Sequence, residues 1–261
     1  MADRADRHAL YQKAVQCPDF DMHFFVTTYK RLRGRAPVRL REDFCGTAHF
    51  AAAWVRGHRD RRALGVDLDE PTLRWAAEHV LARESPSVRQ RITLRCADVL
   101  DVTAPKVDLC CAMNFSFCVF KSRELLTRYF RAVHQGLRRD GLFITELYGG
   151  PDAIHPLVER RKIGRVTYVW QQEKFNPITN ETLCHIHFKF PDGSRLDRAF
   201  SYDWRLWSIP EVRECLLAAG FSRVDVYWED EDDKGQDLGT HHLATVEQNQ
   251  PTWLVYIAAL K

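Results

Sequence analysis

Acidic and amide side chains recur just after short apolar runs in the first half of this 261-residue chain: Glu42 and Asp43 after VRLR, Asp67 after ALGV, Asp98 after ITLRCA, and Asn114 after VDLCCAM. A polar group at the carboxyl end of a strand faces the crevice where open parallel sheets bind ligands. One such carboxylate can accept from both hydroxyls of a ribose, and the next can accept from an adenine amino group. Ordered along successive strands, they describe an adenosine site that needs no phosphate cradle.

Each of these groups needs a strand to deliver it. Residues 38–55, VRLREDFCGTAHFAAAWV, read as a β-prone run over 38–44, a tight turn at Cys45, Gly46 and Thr47, and an Ala-rich helix over 48–55. Strand, small-residue turn and helix is the geometry that lets a backbone approach a bound nucleoside or phosphate. The turn holds one glycine where dinucleotide-binding turns hold three. Further on, 63–66 reads as a short buried strand, and Asp69 and Pro71 open a helix that continues over 72–83. Residues 91–96 alternate like a strand, 107–113 is the apolar run of a central parallel strand, 122–137 is an amphipathic helix, and 142–148 is another strand. Five strands, most of them separated by helices, predict a doubly wound parallel α/β sheet.

The pattern then changes. Residues 165–174, 181–190 and 195–202 read as antiparallel β segments joined by turn-forming residues at 177–180 and 191–194. A helix returns over 208–219, with Ser208 as cap and Gly220 at the stop. Residues 224–228 and 253–260 are two closing strands, joined by the acidic run 229–233 and a polar stretch to Pro251.

Lys and Arg total 38 against 35 Asp and Glu, a formal net charge of +3. That near-balance argues against a protein built to grip a polyanion, and the basic clusters at 31–35, 56–62 and 160–162 read as solvated faces. The charged N-terminal residues lack the apolar run of a signal peptide, and no window approaches the ~18 apolar residues of a membrane-spanning helix. Eight cysteines without C-x-x-C spacing read as reduced thiols in a cytoplasm, and no metal site is expected.

With these motifs in place, residues 38–148 and 208–260 resemble the class I S-adenosylmethionine-dependent methyltransferases, in the small-molecule type that carries a β insertion. The family's first motif, an acidic residue followed by a glycine-rich turn, is matched by Glu42, Asp43, Phe44, Cys45, Gly46, Thr47 and Ala48. Gly46 falls on the middle glycine, while Phe44 and Ala48 stand where glycines are common. The family's ribose-binding acidic residue falls on Asp67, followed by Leu68, and its adenine-contacting acidic residue on Asp98, followed by Val99. Its fourth-strand loop falls on Asn114 and Phe115. The resemblance implies S-adenosyl-L-methionine as methyl donor, S-adenosyl-L-homocysteine as product, and an N-terminal segment, with Tyr11 and Tyr29, that closes over the cofactor. A nicotinamide-dependent Rossmann enzyme is the nearest competitor, and it would need the missing glycines to admit a pyrophosphate.

The expected organisation is then an N-terminal helical cap over 1–36, a seven-stranded, mostly parallel Rossmann-like domain over 37–160 and 204–261, and an antiparallel β insertion over 161–203 that serves as a lid, substrate contact or homo-oligomer contact. Methyl transfer from a sulfonium is an in-line displacement on an already activated electrophile, so the protein has to align a nucleophile and exclude water. A base is needed only if that nucleophile arrives protonated.

The loop Asn114-Phe115-Ser116-Phe117 differs from the Asn/Asp-Pro-Pro-aromatic loop of enzymes that methylate nucleobase amines. An N or O atom of a small-molecule acceptor is therefore the expected target, ahead of RNA or protein, or of a non-catalytic cofactor-binding module. In the insertion, Tyr168, Trp170 and Phe188 suit a pocket for an amine or a flat ring, and equally a dimer surface. His185 is a candidate to orient or deprotonate an acceptor, although it and His187 also read as plain histidines on an exposed sheet. Glu146 and Tyr148, ending the fifth strand, are the other candidate catalytic contacts.

Overall fold

Asp6 starts the first helix by accepting from the backbone N–H groups of His8 and Ala9, which caps α1 (Arg7–Val15). The computed structural model describes residues 1–232 and 237–261. Helix α2 (Pro18–Arg33) has proline in its first turn and ends at Gly34, which takes the left-handed conformation with φ 70°. Then follow β1 (Arg39–Asp43), α3 (His49–Arg56), β2 (Arg62–Asp67), α4 (Glu70–His79), α5 (Pro86–Arg89), β3 (Ile92–Cys96), β4 (Val107–Ala112), α6 (Arg123–Gly136) and β5 (Leu137–Gly149). A second run of strands comes next: β6 (Leu157–Ile163), β7 (Val166–Asn176), β8 (Glu181–Lys189) and β9 (Arg195–Arg205). Helix α7 (Ile209–Ala218), β10 (Arg223–Glu231), β11 (Asp237–Ala244) and β12 (Trp253–Leu260) complete the chain.

The main sheet has the strand order β11-β10-β12-β5-β4-β1-β2-β3. Strands β5, β4, β1, β2 and β3 run parallel, and β12 joins β5 antiparallel. All six residues of β4 are buried, as a strand covered on both faces requires. On one face Tyr129, Phe130 and Val133 of α6 pack with Phe117 and Phe143; on the other, Phe25 and Tyr29 of α2 pack with Phe50 and Trp54 of α3.

The sheet holds one strand more than the seven expected. Strand β11 pairs antiparallel with β10 at the sheet edge, within the stretch read as a polar link. Its sequence, DLGTHHLA, carries little apolar alternation because an edge strand has one partner and a wet side. Asp233 of the acidic run lies outside the described residues. The helix expected over 72–83 stops at His79, and Ser85 caps the short helix α5 by accepting from Val88 N–H.

Strands β6 to β9 form a separate four-stranded antiparallel sheet in simple sequence order. Its edge strand β6, LVERRKI, escaped the sequence reading because five of its residues are exposed and four are charged. No helix of the described residues is long and apolar enough to cross a membrane.

Candidate active site

Between β1 and α3 the backbone is left-handed at three alternate residues, Phe44 (φ 55°), Gly46 (φ 50°) and Ala48 (φ 54°). Only glycine takes this conformation freely, so Phe44 and Ala48 are held there by their surroundings. The Phe44 ring lies 5.9 Å from that of Phe120 and 5.7 Å from that of Tyr129, and Ala48 is fully buried. Cys45 donates its N–H to the Val66 carbonyl at 3.0 Å and its thiol is buried in the sheet. That burial is possible because β2 carries Gly65: a Cβ there would sit 2.9 Å from the Cys45 sulfur. A Cβ on Gly46, by contrast, would meet nothing within 4 Å. The turn is thus packed from below and open above.

Asp67 fastens this turn to β2. Its Oδ2 accepts from Gly46 N–H at 2.7 Å and its Oδ1 from Asp69 N–H at 2.9 Å. Leu68 beside it is 66% exposed, a large apolar side chain left open at the sheet edge. One strand further, Asp98 accepts from Leu100 N–H at 2.9 Å, and Val99 is buried beneath it. Because β1, β2 and β3 are adjacent, Gly46, Asp67 and Asp98 follow one another along a single edge.

Glu42 and Asp43 part company there. Glu42 is buried facing α3, with Oε2 accepting from Ala51 N–H at 2.9 Å. Asp43 turns into the core, where Arg41 at 2.8 Å and the Tyr129 hydroxyl at 3.0 Å bind its Oδ2. It is a structural carboxylate, since neighbouring residues of a strand face opposite sides of the sheet.

Behind the turn lies a small cavity of about 80 Å³ lined by Asp21, Glu42 and Glu146, with Cys17, Phe50 and Asn114 among the other walls. Burial, joined by charge repulsion from Asp21, pushes the Glu42 and Glu146 carboxyls up to about 8, and burial pushes that of Asp21 up to about 6. Glu146 accepts from Asn114 N–H at 2.5 Å, and Asp21 from the Tyr256 hydroxyl at 2.5 Å. Three carboxyls from three elements with no cationic side chain lining the cavity make a seat for a positive group.

A larger cavity of about 780 Å³ opens between the ends of β4 and β5 and the second sheet. Tyr11, Phe115, Tyr148, Trp170, Tyr202 and Trp204 give it aromatic walls. Burial raises the Tyr11 and Tyr202 hydroxyls, which touch each other, and that of Tyr148. The Tyr148 hydroxyl is buried without a hydrogen-bond partner. Asn114 and Val15 line both cavities. Asn114 and Phe115 hold this border with left-handed backbone, φ 53° and 57°.

Helix α1 spans the two regions. Gln12 donates to the Thr47 hydroxyl at 2.8 Å, Asp6 accepts from the Trp75 indole at 2.8 Å, and Tyr11 packs on Phe200 of β9 at 4.9 Å.

Residues 43–145 match the family model described as a methyltransferase domain. The fold is that of the class I enzymes. These residues carry a methyltransferase domain. An S-adenosylmethionine-dependent methyltransferase from Clostridium acetobutylicum superposes with a TM-score of 0.69 at 16% identity, covering 96% of each chain. An S-adenosylmethionine-bound amino pentose methyltransferase from Micromonospora echinaspora gives 0.68 at 12% identity, covering 97% of this chain and 95% of that one. A sugar N-methyltransferase from Streptoalloteichus gives 0.65 at 17% identity, covering 98% and 93%. These identities establish a shared fold. No curated protein matches the sequence.

Within this fold the structure does not bring His185 to the larger cavity. Ile186 lines that cavity, and strand alternation turns His185 to the opposite face of the sheet. There it bonds Ser201 at 2.8 Å and Glu173 at 3.0 Å, while His187 bonds Gln171 at 2.9 Å and Asp197 at 3.1 Å. Tyr29 also leaves the site: it is fully buried, and its hydroxyl donates to the Asp140 carbonyl. Glu146 and Tyr148 reach the region, but they line different cavities.

Three residues that the sequence reading missed now join it: Asp21, Gln12 and Tyr202. Asp21 and Gln12 lay inside helices read as a docking cap, and the contacts they make span 235 and 35 residues of chain, respectively. Tyr202, ending the last predicted β segment, carried no pattern apart from its aromatic neighbours. Among the described residues, no three His, Cys, Asp or Glu side chains are arranged to hold a metal ion.

Proposed function

We propose that this enzyme transfers the methyl group of S-adenosylmethionine to an amine nitrogen of a small molecule seated in the aromatic cavity. The observation that carries this reading is the cavity's lining. It is large, walled by tyrosine and tryptophan, and holds no histidine or cysteine, while its two carboxylates, Asp152 and Glu159, stand on exposed positions. A hydroxyl acceptor needs a base close to the attacking oxygen. A neutral amine carries its own lone pair, and aromatic faces favour the cationic product. Structurally similar enzymes are described as amino pentose and sugar N-methyltransferases, which supports an amino sugar or a related polar amine as the acceptor class.

The chain's residues fit the donor. Asp67 and Asp98 offer acceptors for a ribose diol and an adenine amino group, the open face above Gly46 admits close approach, and the Asp21–Glu42–Glu146 seat suits an ammonium. When bound, the donor supplies an electrophilic methyl on a sulfonium, displaced in line. Asn114, shared by both cavities, stands at the border across which an acceptor nitrogen has to reach. The unpartnered Tyr148 hydroxyl gives the acceptor a hydrogen bond, and α1 with the second sheet screens the crevice from water.

Calorimetric titration with S-adenosylhomocysteine tests the donor site, and absence of binding refutes it. A panel of amino sugars and matched hydroxy sugars, followed by homocysteine release, tests the acceptor. Turnover confined to the hydroxy sugars refutes the amine reading. In an active pair, Tyr148→Phe should raise acceptor KM several-fold with cofactor affinity unchanged.

A further inference from the structure

At the other end of the same strands, the amino edge of the main sheet carries a basic cavity that the methyl-transfer site does not use. Its volume is about 270 Å³, and Arg39, Arg62, Arg91 and Arg95 line it with Gln90, Thr93 and Pro105. This is roughly nine times the volume that one water occupies in the liquid. No aspartate or glutamate lines it.

Strand register explains the crowding. Arg39 of β1 is the direct partner of Arg62 of β2, so the two side chains leave the sheet on the same face. Leu64, two residues after Arg62, is paired with Thr93 of β3, which places Thr93 and Arg95 on that face as well. Like charges directly opposite one another cost stability unless something neutralises them. Nothing in the chain does so for Arg39 or Arg62: among the described residues neither makes an ion pair.

The nearby buried Asp108 is already satisfied by Arg35 at 2.9 Å, Arg138 at 3.2 Å and the backbone N–H groups of Val38 and Arg39, and it takes nothing from the Arg39 side chain. Arg95 spends one N–H on the Ala104 carbonyl at 2.9 Å, which fixes its guanidinium at the cavity wall. Arg91 turns its head away to the Val55, His58 and Arg61 carbonyls. The cavity therefore keeps the free donors of Arg39 and Arg62, the remaining donors of Arg95 and the hydroxyl of Thr93, with no competing acceptor of negative charge.

We infer that this cavity binds a compact phosphate oxyanion of pyrophosphate type. Guanidinium groups match phosphate oxygens in paired, charge-assisted hydrogen bonds, and two arginines held side by side by strand register offer that fork twice. The site is separate from the cofactor edge, because Arg39 and Arg62 lie at the amino ends of β1 and β2, and Glu42 and Asp67 at their carboxyl ends.

The test is calorimetric titration of the full chain with sodium pyrophosphate at ionic strength held constant with sodium chloride. A saturable, one-to-one binding is expected, with orthophosphate weaker. The double variant Arg39→Gln/Arg62→Gln should weaken pyrophosphate binding at least tenfold and leave S-adenosylhomocysteine affinity within twofold, which also reports that it is folded. Thr93→Glu, which adds a carboxylate to the exposed cavity floor, should abolish binding in the same way. Absence of saturable binding, or pyrophosphate affinity unchanged in both variants, overturns the inference.

Discussion

The Gly46 backbone N–H and the Asp67 carboxylate are 2.7 Å apart, so the acidic group at the end of β2 also holds the turn that leaves β1. Asp67 should therefore affect cofactor binding through its own free lone pairs and through the shape of the turn. Asp67→Ala should weaken S-adenosylhomocysteine binding by about 1–3 kcal/mol, the cost of leaving bonded partners unmatched. Isothermal titration measures this, and unchanged affinity removes Asp67 from the site.

Gly46 separates binding from folding. A Cβ at this position meets no protein atom, although φ 50° strains any other residue. Gly46→Val should cost about 1–2 kcal/mol of stability from the left-handed backbone, still unfold cooperatively, and lose measurable cofactor binding. Retained binding would mean that the cofactor does not approach this turn.

The carboxyl cluster makes ligand-free stability pH-dependent. Glu42 and Glu146 are held up to about 8 in the fold and return to the ordinary carboxylate range when the chain unfolds. Between those limits the native state binds the extra protons, so stability is fully present at low pH and is lost as pH rises through about 8. Melting temperature without ligand should fall between about pH 5.5 and about pH 8.5, and less steeply in Glu42→Gln. Binding of a donor bearing an ammonium should release protons at about pH 7, seen as calorimetric heats that scale with buffer ionisation enthalpy. Heats independent of buffer would exclude the cluster as the ammonium seat.

Asp43 predicts a different phenotype. Its side chain is fully buried on Arg41, itself 1% exposed, so removing it strands a buried guanidinium. Asp43→Ala should destabilise the protein by about 3–5 kcal/mol, which denaturant titration will show as a lowered midpoint. A loss below about 1 kcal/mol would mean that Arg41 finds another acceptor or reaches water.

His185, bonded to Ser201 and Glu173 on the face away from the cavity, should be dispensable for chemistry. With an accepted amine substrate, His185→Gln should keep kcat within about twofold, since group removal at a general base costs about 10²–10⁴-fold. A hundredfold loss of kcat with normal cofactor affinity would return it to the mechanism.

The parallel half of the fold was legible because its signals are local. An apolar run ending in a polar group, followed by a small-residue turn, reads the same in one strand as in the folded sheet, and Glu42, Asp67, Asp98 and Asn114 all end strands or begin the loops after them. Edge strands were harder to read. β6 and β11 have too few buried residues to impose alternation, so their sequences look like charged or polar links. Side-chain facing was also beyond the pattern. His185 was a candidate because a histidine on the insertion could orient or deprotonate an acceptor, whereas one step of strand alternation sends it to the face away from the cavity that Ile186 lines. The Asp21–Glu146 pairing and the Arg39–Arg62 pairing arise from chain crossings that no local window contains.

Helix α1 is nine residues long with one buried side chain, Ala14, and it is pinned at separate points to Thr47, Trp75 and Phe200. Leu10, Tyr11 and Val15 add half-buried contacts to the second sheet, so the helix is held by these few points. Because the pins join the turn after β1 to the second sheet, and Val15 of this helix lines both cavities, displacing the helix would open the two together.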